Sequence, residues 1–172
     1  TRVRSVLRKK TDISGLGALA DLDMAVLPYI NRMREVGIKV NRQHMIDYGM
    51  QLGIEMRQLQ EKIEKDIGVW INPSSSQQVG MVIYELLGLP VEVYTETKQP
   101  STNDKILEAL APTNPTIADI ALFRELHKLE STYCRDLPNW TDENNRVHAT
   151  WKYTRVASGR LSTAHPNLLA IP

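Results

Sequence analysis

Residues 41–68 have the sequence NRQHMIDYGMQLGIEMRQLQEKIEKDIG, which indicates a helical fold. Their apolar side chains recur every three or four residues: Met45, Tyr48, Leu52, Met56, Leu59, Ile63 and Ile67. This spacing places them on one face of a helix and leaves charged residues on the other. Asn41 can cap the start of this helix, and Gly68 can end it in a left-handed conformation. The pattern therefore predicts one long helix that packs on one side only.

Shorter helices are predicted on both sides of the long one. Residues 20–35 have apolar side chains at helical spacing: Leu22, Val26, Ile30 and Met33. Residues 72–76 form a turn-and-cap cluster before a helix near residues 77–87. Ser101 or Thr102 can cap a short helix that ends near residue 111. A last helix begins at Pro115, with a predicted apolar face of Leu122, Leu126, Leu129 and Tyr133.

The chain changes character after Pro138. From residue 147 apolar and polar side chains alternate, a period typical of a strand: Val147, Ala149, Trp151 and Tyr153 carry the apolar side. We therefore expect antiparallel helices from about residue 20 to residue 137 and strands that begin near Arg146. No sheet is expected before residue 130.

Composition argues against several classes of protein. The 172 residues, 42% of them hydrophobic and with a net charge of +1, can bury one core or two small ones. The sequence has no run of about 18 apolar residues and no apolar N-terminal stretch, so neither membrane insertion nor export is expected. The single Cys134 can form no internal disulfide, and no Cys/His spacing suggests zinc. A cytosolic setting is the default expectation.

The N-terminal end is basic. Its first ten residues contain five cations and no acid: Arg2, Arg4, Arg8, Lys9 and Lys10. Such a run could contact phosphate, but a solvated or frayed tail is the favoured interpretation. Because the chain starts at Thr1 instead of methionine and stops at Ile171-Pro172, we expect it to be a piece of a longer protein.

The most specific motifs lie toward the C-terminal end. Residues 158–172, SGRLSTAHPNLLAIP, resemble the signature T-G-R-L-S-S-x-x-P-N-L-Q-N-I-P of family A DNA polymerases. Residues 123–133, FRELHKLESTY, resemble the family's Y-R-E-L-x-K-L-K-S-T-Y helix. Residues 71–79 and 86–90 are similar to its F-N-x-N-S-P-x-Q-L and L-G-L-P segments. The chain departs from the family pattern at Leu169-Ala170, where the family has Q-N, and at Glu130, where it usually has lysine.

The resemblance implies a mainly α fold with a small β portion. An antiparallel helical thumb subdomain would lead into the first strands of an α+β palm. The expected divisions are a basic N-terminal segment at residues 1–20, a thumb with its palm-proximal helices at 21–137, and the start of the palm at 138–172. The family's catalytic carboxylates would lie downstream. No catalytic or metal-binding residue is therefore expected in this chain, and the chain alone should be inactive.

The implied function is that of the DNA-gripping portion of a template-directed DNA polymerase. Its partners would be primer–template DNA, a dNTP and the remainder of the polymerase, with Mg²⁺ bound by ligands outside this chain. The location would be the cytoplasm, at the nucleoid, or the host cytoplasm if the source is viral. The alternative is a split-gene subunit, or a non-catalytic module that binds duplex DNA and docks onto a separate palm.

The resemblance also implies which residues bind nucleic acid. Arg160 would hold the minor-groove edge of the terminal primer pair, where a planar guanidinium meets acceptors that every base pair displays. Asn167 and Ser162 would lie nearby. Phosphate and minor-groove contacts along the duplex would come from three further sets of residues: Arg124, Lys128 and Ser131 on the thumb helix, Asn72, Ser75 and Ser76 at the tip, and Thr97, Ser101 and Thr102 on its rim. The alternatives are a solvated helix face and plain helix capping. Packing is favoured over base stacking for three tryptophans: Trp70, Trp140 and Trp151.

Overall fold

The computed structural model describes residues 2–153, 156 and 159–171. Its helices are α1 (Arg2–Ile13), α2 (Gly17–Val36), α3 (Arg42–Ile67), α4 (Ser76–Gly80), α5 (Asp104–Leu110) and α6 (Pro115–Lys128). Two π-helical segments follow α4 and α6 directly: Met81–Leu86 and Leu129–Asp136. The strands are β1 (Ile38–Lys39), β2 (Arg146–Val147), β3 (Thr150–Lys152) and β4 (Ser162–Ala164). The expectation of a mainly α fold with a small β portion is confirmed.

The chain divides into two compact units. The first, called the helical unit here, comprises Asn41–Asn139 and contains α3 to α6. The second, called the mixed unit, comprises Thr1–Val40 together with Trp140–Pro172, and contains α1, α2 and the four strands. The boundaries expected from the sequence at residues 20 and 137 stay predictions.

Helix α3 begins and ends where its sequence predicts. The Asn41 side chain accepts a hydrogen bond from the His44 backbone N–H at 3.1 Å, which satisfies one of the free donors of the first turn. Gly68 adopts φ 75°, and its N–H bonds the Glu64 carbonyl at 2.8 Å. Leu52 and Ile63 are buried on the predicted face. The capping residues and the apolar spacing of α3 therefore both agree with the way this helix packs.

The core of the helical unit collects buried side chains from α3, α4, α5, α6 and the π-helical segment Met81–Leu86. Its buried members are Ile63, Ile71, Val79, Val82, Ile83, Leu107, Leu110, Ile117, Ile120 and Phe123. Burying one such side chain contributes about 1.5–3 kcal/mol. This core holds α4 and α5 against the pair formed by α3 and α6, and so fixes the loops that connect them.

The apolar face predicted for α6 was wrong in part, since Leu126, Leu129 and Tyr133 are half-buried but the fourth residue is not. Ile117, Ile120 and Phe123 are buried, whereas Leu122 is 44% exposed. In the sequence, the spacing of Leu122, Leu126 and Leu129 suggested the apolar face. The three buried residues are instead spaced three positions apart, and they pack on the core. The start of α6 is as predicted: Pro115 occupies its first turn, and the Asn114 side chain accepts from the Thr116 N–H at 2.8 Å.

Asn103, and neither of the two predicted residues, caps α5. Its side chain accepts a hydrogen bond from the Ile106 backbone N–H at 3.0 Å. Ser101 and Thr102, which were predicted as caps, are buried instead, at 5% and 4% exposed. All three residue types can cap a helix, so the choice between them depends on tertiary packing.

A small sheet occurs before residue 130, contrary to expectation. Strand β1 pairs antiparallel with β2, so that Ile38 lies opposite Val147 and Lys39 opposite Arg146. The Val40 N–H also donates to the Asn145 carbonyl at 2.8 Å. Two residues are too few to show strand alternation in a sequence, and the pairing partner lies far along the chain.

The predicted strand region near Arg146 is confirmed, and it is divided into β2 and β3. Strand β3 pairs antiparallel with β4, with Trp151 opposite Thr163. Gly159 has φ 73° in the segment between them. Ser158, the first residue of the segment that resembles the family signature, lies outside the described residues.

The basic N-terminal residues form α1, which contradicts a frayed tail, but Arg8, Lys9 and Lys10 are exposed, which agrees with a solvated segment. The Arg8 guanidinium pairs with Asp12 at 3.3 Å and with Asp21 of α2. These carboxylates raise the pKa of Arg8, and the hydrogen bond to Asp21 has the largest effect. The same contact lowers the pKa of Asp21.

Two of the tryptophans that were expected to pack are exposed: Trp70 is 61% exposed and Trp140 is 48% exposed. None of the helices in the described part of the chain combines the length and hydropathy needed to cross a membrane.

Candidate functional site

A cavity of about 1130 Å³ lies in the helical unit, between α4, residues 95–103 and α6. It brings together five of the residues that the sequence predicts to bind nucleic acid: Ser76, Thr97, Ser101, Thr102 and Arg124. Gln77, Gln99 and Asn103 also line it, so hydroxyl and amide groups dominate its uncharged polar wall, beside the carboxylates of Glu85 and Asp104. Such groups can hydrogen-bond phosphate oxygens without adding charge.

Arg124 has the most constrained side chain in this cavity wall. Its Nε donates to the Pro73 carbonyl oxygen at 2.7 Å, and its Nη1 donates to the Thr102 carbonyl oxygen at 2.5 Å. Its Nη2 is buried and has no hydrogen-bond partner among the described residues. Burial lowers the pKa of Arg124, and the charge of Asp104 opposes this. The guanidinium is thus committed mainly to backbone carbonyls of the protein.

Two loops meet at Arg124. The tip loop, residues 69–75, joins α3 to α4, and the rim loop, residues 91–103, joins the first π-helical segment to α5. Within the tip loop, Asn72 Oδ1 accepts from the Ser74 N–H at 3.0 Å. Ser75 Oγ caps α4 by accepting from the Gln78 N–H at 3.4 Å. Asn72 and Ser76 are exposed, so their side chains are open to a ligand.

Two hydrogen bonds hold the rim loop in place. Tyr84 donates its hydroxyl hydrogen to the Ser101 carbonyl oxygen at 2.5 Å, and Thr102 Oγ1 donates to the Ser76 carbonyl oxygen at 3.4 Å. Burial raises the pKa of Tyr84, with smaller contributions from Glu92 and Tyr94. Because Ser101 and Thr102 are buried, they support the shape of the rim loop, and their hydroxyls are little exposed to a ligand. Thr97 is exposed, and its hydroxyl lies 3.0 Å from that of Thr95.

Lys128 and Ser131 do not line this cavity. Lys128 is exposed in the last turn of α6. Ser131 donates its hydroxyl hydrogen to the His127 carbonyl oxygen at 2.7 Å, which leaves its acceptor lone pairs. Arg124 and Lys128, one turn apart, therefore differ in environment: the first is half-buried and hydrogen-bonded, and the second faces solvent.

The remaining three predicted residues belong to the mixed unit. Arg160 is exposed and directly follows Gly159. Ser162 Oγ donates to the Lys152 carbonyl oxygen at 3.3 Å, across the β3–β4 pair. Asn167 Oδ1 accepts from Thr163 Oγ1 at 3.0 Å, and Thr163 Oγ1 accepts from the Leu169 N–H at 3.2 Å. Thr163 thus fixes the Asn167 amide, a link that the sequence alone did not indicate.

A second polar cluster in the mixed unit surrounds His148. Its Nδ1 lies 2.8 Å from the Arg34 carbonyl oxygen, and its Nε2 lies 3.2 Å from Asp142 Oδ2. Both partners can only accept, so the doubly protonated imidazolium satisfies both contacts. The Arg34 carbonyl and then Asp142 raise the pKa of His148. The Arg146 backbone N–H and then His148 lower the pKa of Asp142. No spacing in the sequence marked this cluster.

The described residues do not provide a metal centre. No group of three or more His, Cys, Asp and Glu side chains in that part of the chain is placed to hold a metal ion. The residues present therefore do not fit the Mg²⁺ that the family resemblance implies.

Comparison of sequences relates the chain to known polymerases. The model of the family described as DNA polymerase family A matches residues 42–172. DNA polymerase I of Streptococcus pneumoniae serotype 4 is 30% identical over 168 residues, which are 97% of this chain and 19% of the relative. DNA polymerase I of Treponema pallidum is 34% identical over 99% of this chain and 17% of its own length. The thermostable DNA polymerase I of Thermus thermophilus is 35% identical over 82% of this chain and 17% of its own length. The chain thus spans about a fifth of the length of the curated relatives it matches.

Comparison of structures gives the same relationship. The POL domain of Pol1 from M. smegmatis, solved in complex with DNA primer-template and dNTP, matches with a TM-score of 0.85 at 27% sequence identity. The match covers 96% of this chain and 30% of that chain.

Proposed function

Because the chain belongs to DNA polymerase family A, we propose that it forms the part of a template-directed DNA polymerase that holds the primer–template duplex. The longer polymerase would supply the dNTP site, the Mg²⁺ ions and the carboxylates that bind them. The role of this chain in synthesis is then binding and positioning. The M. smegmatis relative, whose complex contains primer-template and dNTP, supports this assignment.

One observation carries the proposal: polar residues that lie far apart in the sequence converge on one cavity of the helical unit. Ser76 and Thr97 are exposed there, and Asn72 is exposed in the tip loop. These three side chains supply amide and hydroxyl groups to backbone phosphates. Ser75, Ser101 and Thr102 shape the same surface, and Ser131 lies further along α6. A surface of this kind positions a duplex without reading its sequence.

Charge contributes through Lys128. Lys128 is exposed, so a phosphate contact releases counterions and makes duplex affinity depend on salt. The net charge of +1 provides little general attraction, so individual cations at the surface matter more.

The mixed unit supplies the contact at the primer end. Arg160 is exposed after a glycine with positive φ and can present its guanidinium to minor-groove acceptors. Ser162 and Asn167 lie on the segments that follow, and Thr163 orients the Asn167 amide. This contact would check the shape of the terminal base pair.

Salt-dependent duplex binding tests the proposal. Lys128→Ala should weaken binding equally for unrelated duplex sequences and should reduce the slope of log affinity against log salt by about 0.9. Arg57→Ala is the matched control, since it removes one exposed cation from the middle of α3, a helix that carries none of the predicted contact residues. If both variants change the slope equally, Lys128 makes no local phosphate contact.

A further inference from the structure

Arg124 joins two loops that are distant in sequence. Its guanidinium bonds a carbonyl of the tip loop, 51 residues earlier, and a carbonyl of the rim loop, 22 residues earlier. The two acceptors, on Pro73 and Thr102, are contacted by different nitrogens of one planar group. The guanidinium therefore fixes the separation of the two loops as well as the position of each.

The same geometry leaves Arg124 little capacity for a ligand. Nε and Nη1 point to protein carbonyls, and Nη2 is buried. Lys128, one turn later, is exposed and has no such commitment to the loops. A duplex bound to this surface would contact Lys128 directly, whereas Arg124 would affect it only by positioning the two loops.

The joined loops carry the exposed residues of the proposed surface. Asn72 lies next to Pro73 in the tip loop, and Thr97 lies in the same rim loop as Thr102. Tyr84 holds the neighbouring carbonyl, that of Ser101, and so assists at the rim. Loss of the Arg124 bridge would let the two sets of hydroxyl and amide groups move apart.

We infer that Arg124 is a positioning residue of the duplex-binding surface, which acts by bridging the Pro73 and Thr102 carbonyls and not by contacting DNA. This inference rests on the proposed duplex-binding function. A bidentate bridge needs the planar fork of arginine, because lysine places a single point charge and cannot span both carbonyls. Hydroxyl and amide contacts release no counterions, so their loss changes affinity without changing salt dependence.

The test measures duplex affinity, salt slope and amide exchange for the 172-residue chain and four variants. Arg124→Ala and Arg124→Lys should each weaken binding roughly tenfold, as expected for loss of a charged hydrogen bond. Neither should change the salt slope, unlike Lys128→Ala. Amide exchange at Ser75 and Ser101, followed by NMR, should accelerate in both Arg124 variants and not in Lys128→Ala.

Two controls keep this test decisive. If Arg124→Ala fails to fold, Arg124→Lys retains the charge and carries the same comparison. Tyr84→Phe removes one uncharged hydrogen bond to the rim loop, and should lower affinity by a smaller factor with the slope again unchanged. A slope reduced by about 0.9 in Arg124→Ala, full affinity in Arg124→Lys, or unchanged exchange at both amides would overturn the inference. Absence of any duplex binding by the unmodified chain would instead contradict the proposed function.

Discussion

Gly49 marks a close approach between α3 and the π-helical segment Leu129–Asp136. A Cβ built on Gly49 would lie 2.9 Å from Cys134 Cβ. Cys134 is buried, and its Cβ is attached to backbone, so it cannot turn away. Gly53, one turn along the same helix, has nothing within 4 Å of the corresponding position. The two glycines therefore form a matched pair for the substitution Gly→Ala.

The two substitutions should differ in their effect on the free energy of unfolding. Replacing glycine by alanine inside a helix gains about 1 kcal/mol at either position, because glycine is the more flexible residue in the unfolded chain. Overpacking at Gly49 should cost about 1–3 kcal/mol, since the two segments must move apart. The propensity gain is common to both variants. We therefore expect Gly49→Ala to be less stable than Gly53→Ala by about 1–3 kcal/mol.

Urea denaturation of the unmodified chain and both variants measures this difference. Gly53→Ala should unfold at higher urea than the unmodified chain, and Gly49→Ala at lower urea than Gly53→Ala, with similar slopes for all three. Equal stability of the two variants would refute the close packing of α3 on the segment that contains Cys134.

Two further predictions concern the mixed unit. The NMR titration midpoint of His148 should lie above 6.5, and Asp142→Asn should move it back toward 6.5; an unchanged midpoint would show that the pair does not form. Because the folded-state pKa is raised, the His148 contacts stabilise fully below pH 6.5 and lose their contribution as the pH rises through the folded value. In the longer polymerase, Arg160→Ala should lower the single-turnover incorporation rate by roughly ten- to a hundredfold, with a much smaller change in duplex affinity. Equal losses in rate and affinity would make Arg160 a simple duplex contact.

Local sequence signals predicted the long helix well. Asn41 and Gly68 flank a regular apolar repeat, and both make the capping contacts that their residue types favour. Asn114 and Pro115 define the start of α6 in the same way. In these places the local preference and the tertiary packing agree, so the sequence was sufficient.

Tertiary contacts decided the features that the sequence did not predict. Ser101, Thr102 and Asn103 can all cap a helix, and burial of the first two left the third to do so. Strand β1 has two residues and no alternation, and it forms because a distant segment pairs with it.

The candidate site shows the same limit. Helical spacing placed Arg124 with Lys128, but backbone carbonyls have no sequence signature, so the acceptors on Pro73 and Thr102 could not be foreseen. The residue types at the site were predictable, and their division into ligand contacts and loop supports was not.

Equilibrium binding of the 172-residue chain to DNA tests the central claim most directly. Affinity should be measured for a primer–template duplex and for a single strand of the same length, over a series of salt concentrations. The account predicts tighter binding to the duplex, little dependence on its sequence and affinity that falls as salt rises. Equal binding to both substrates, or no binding to the duplex at low salt, would contradict it.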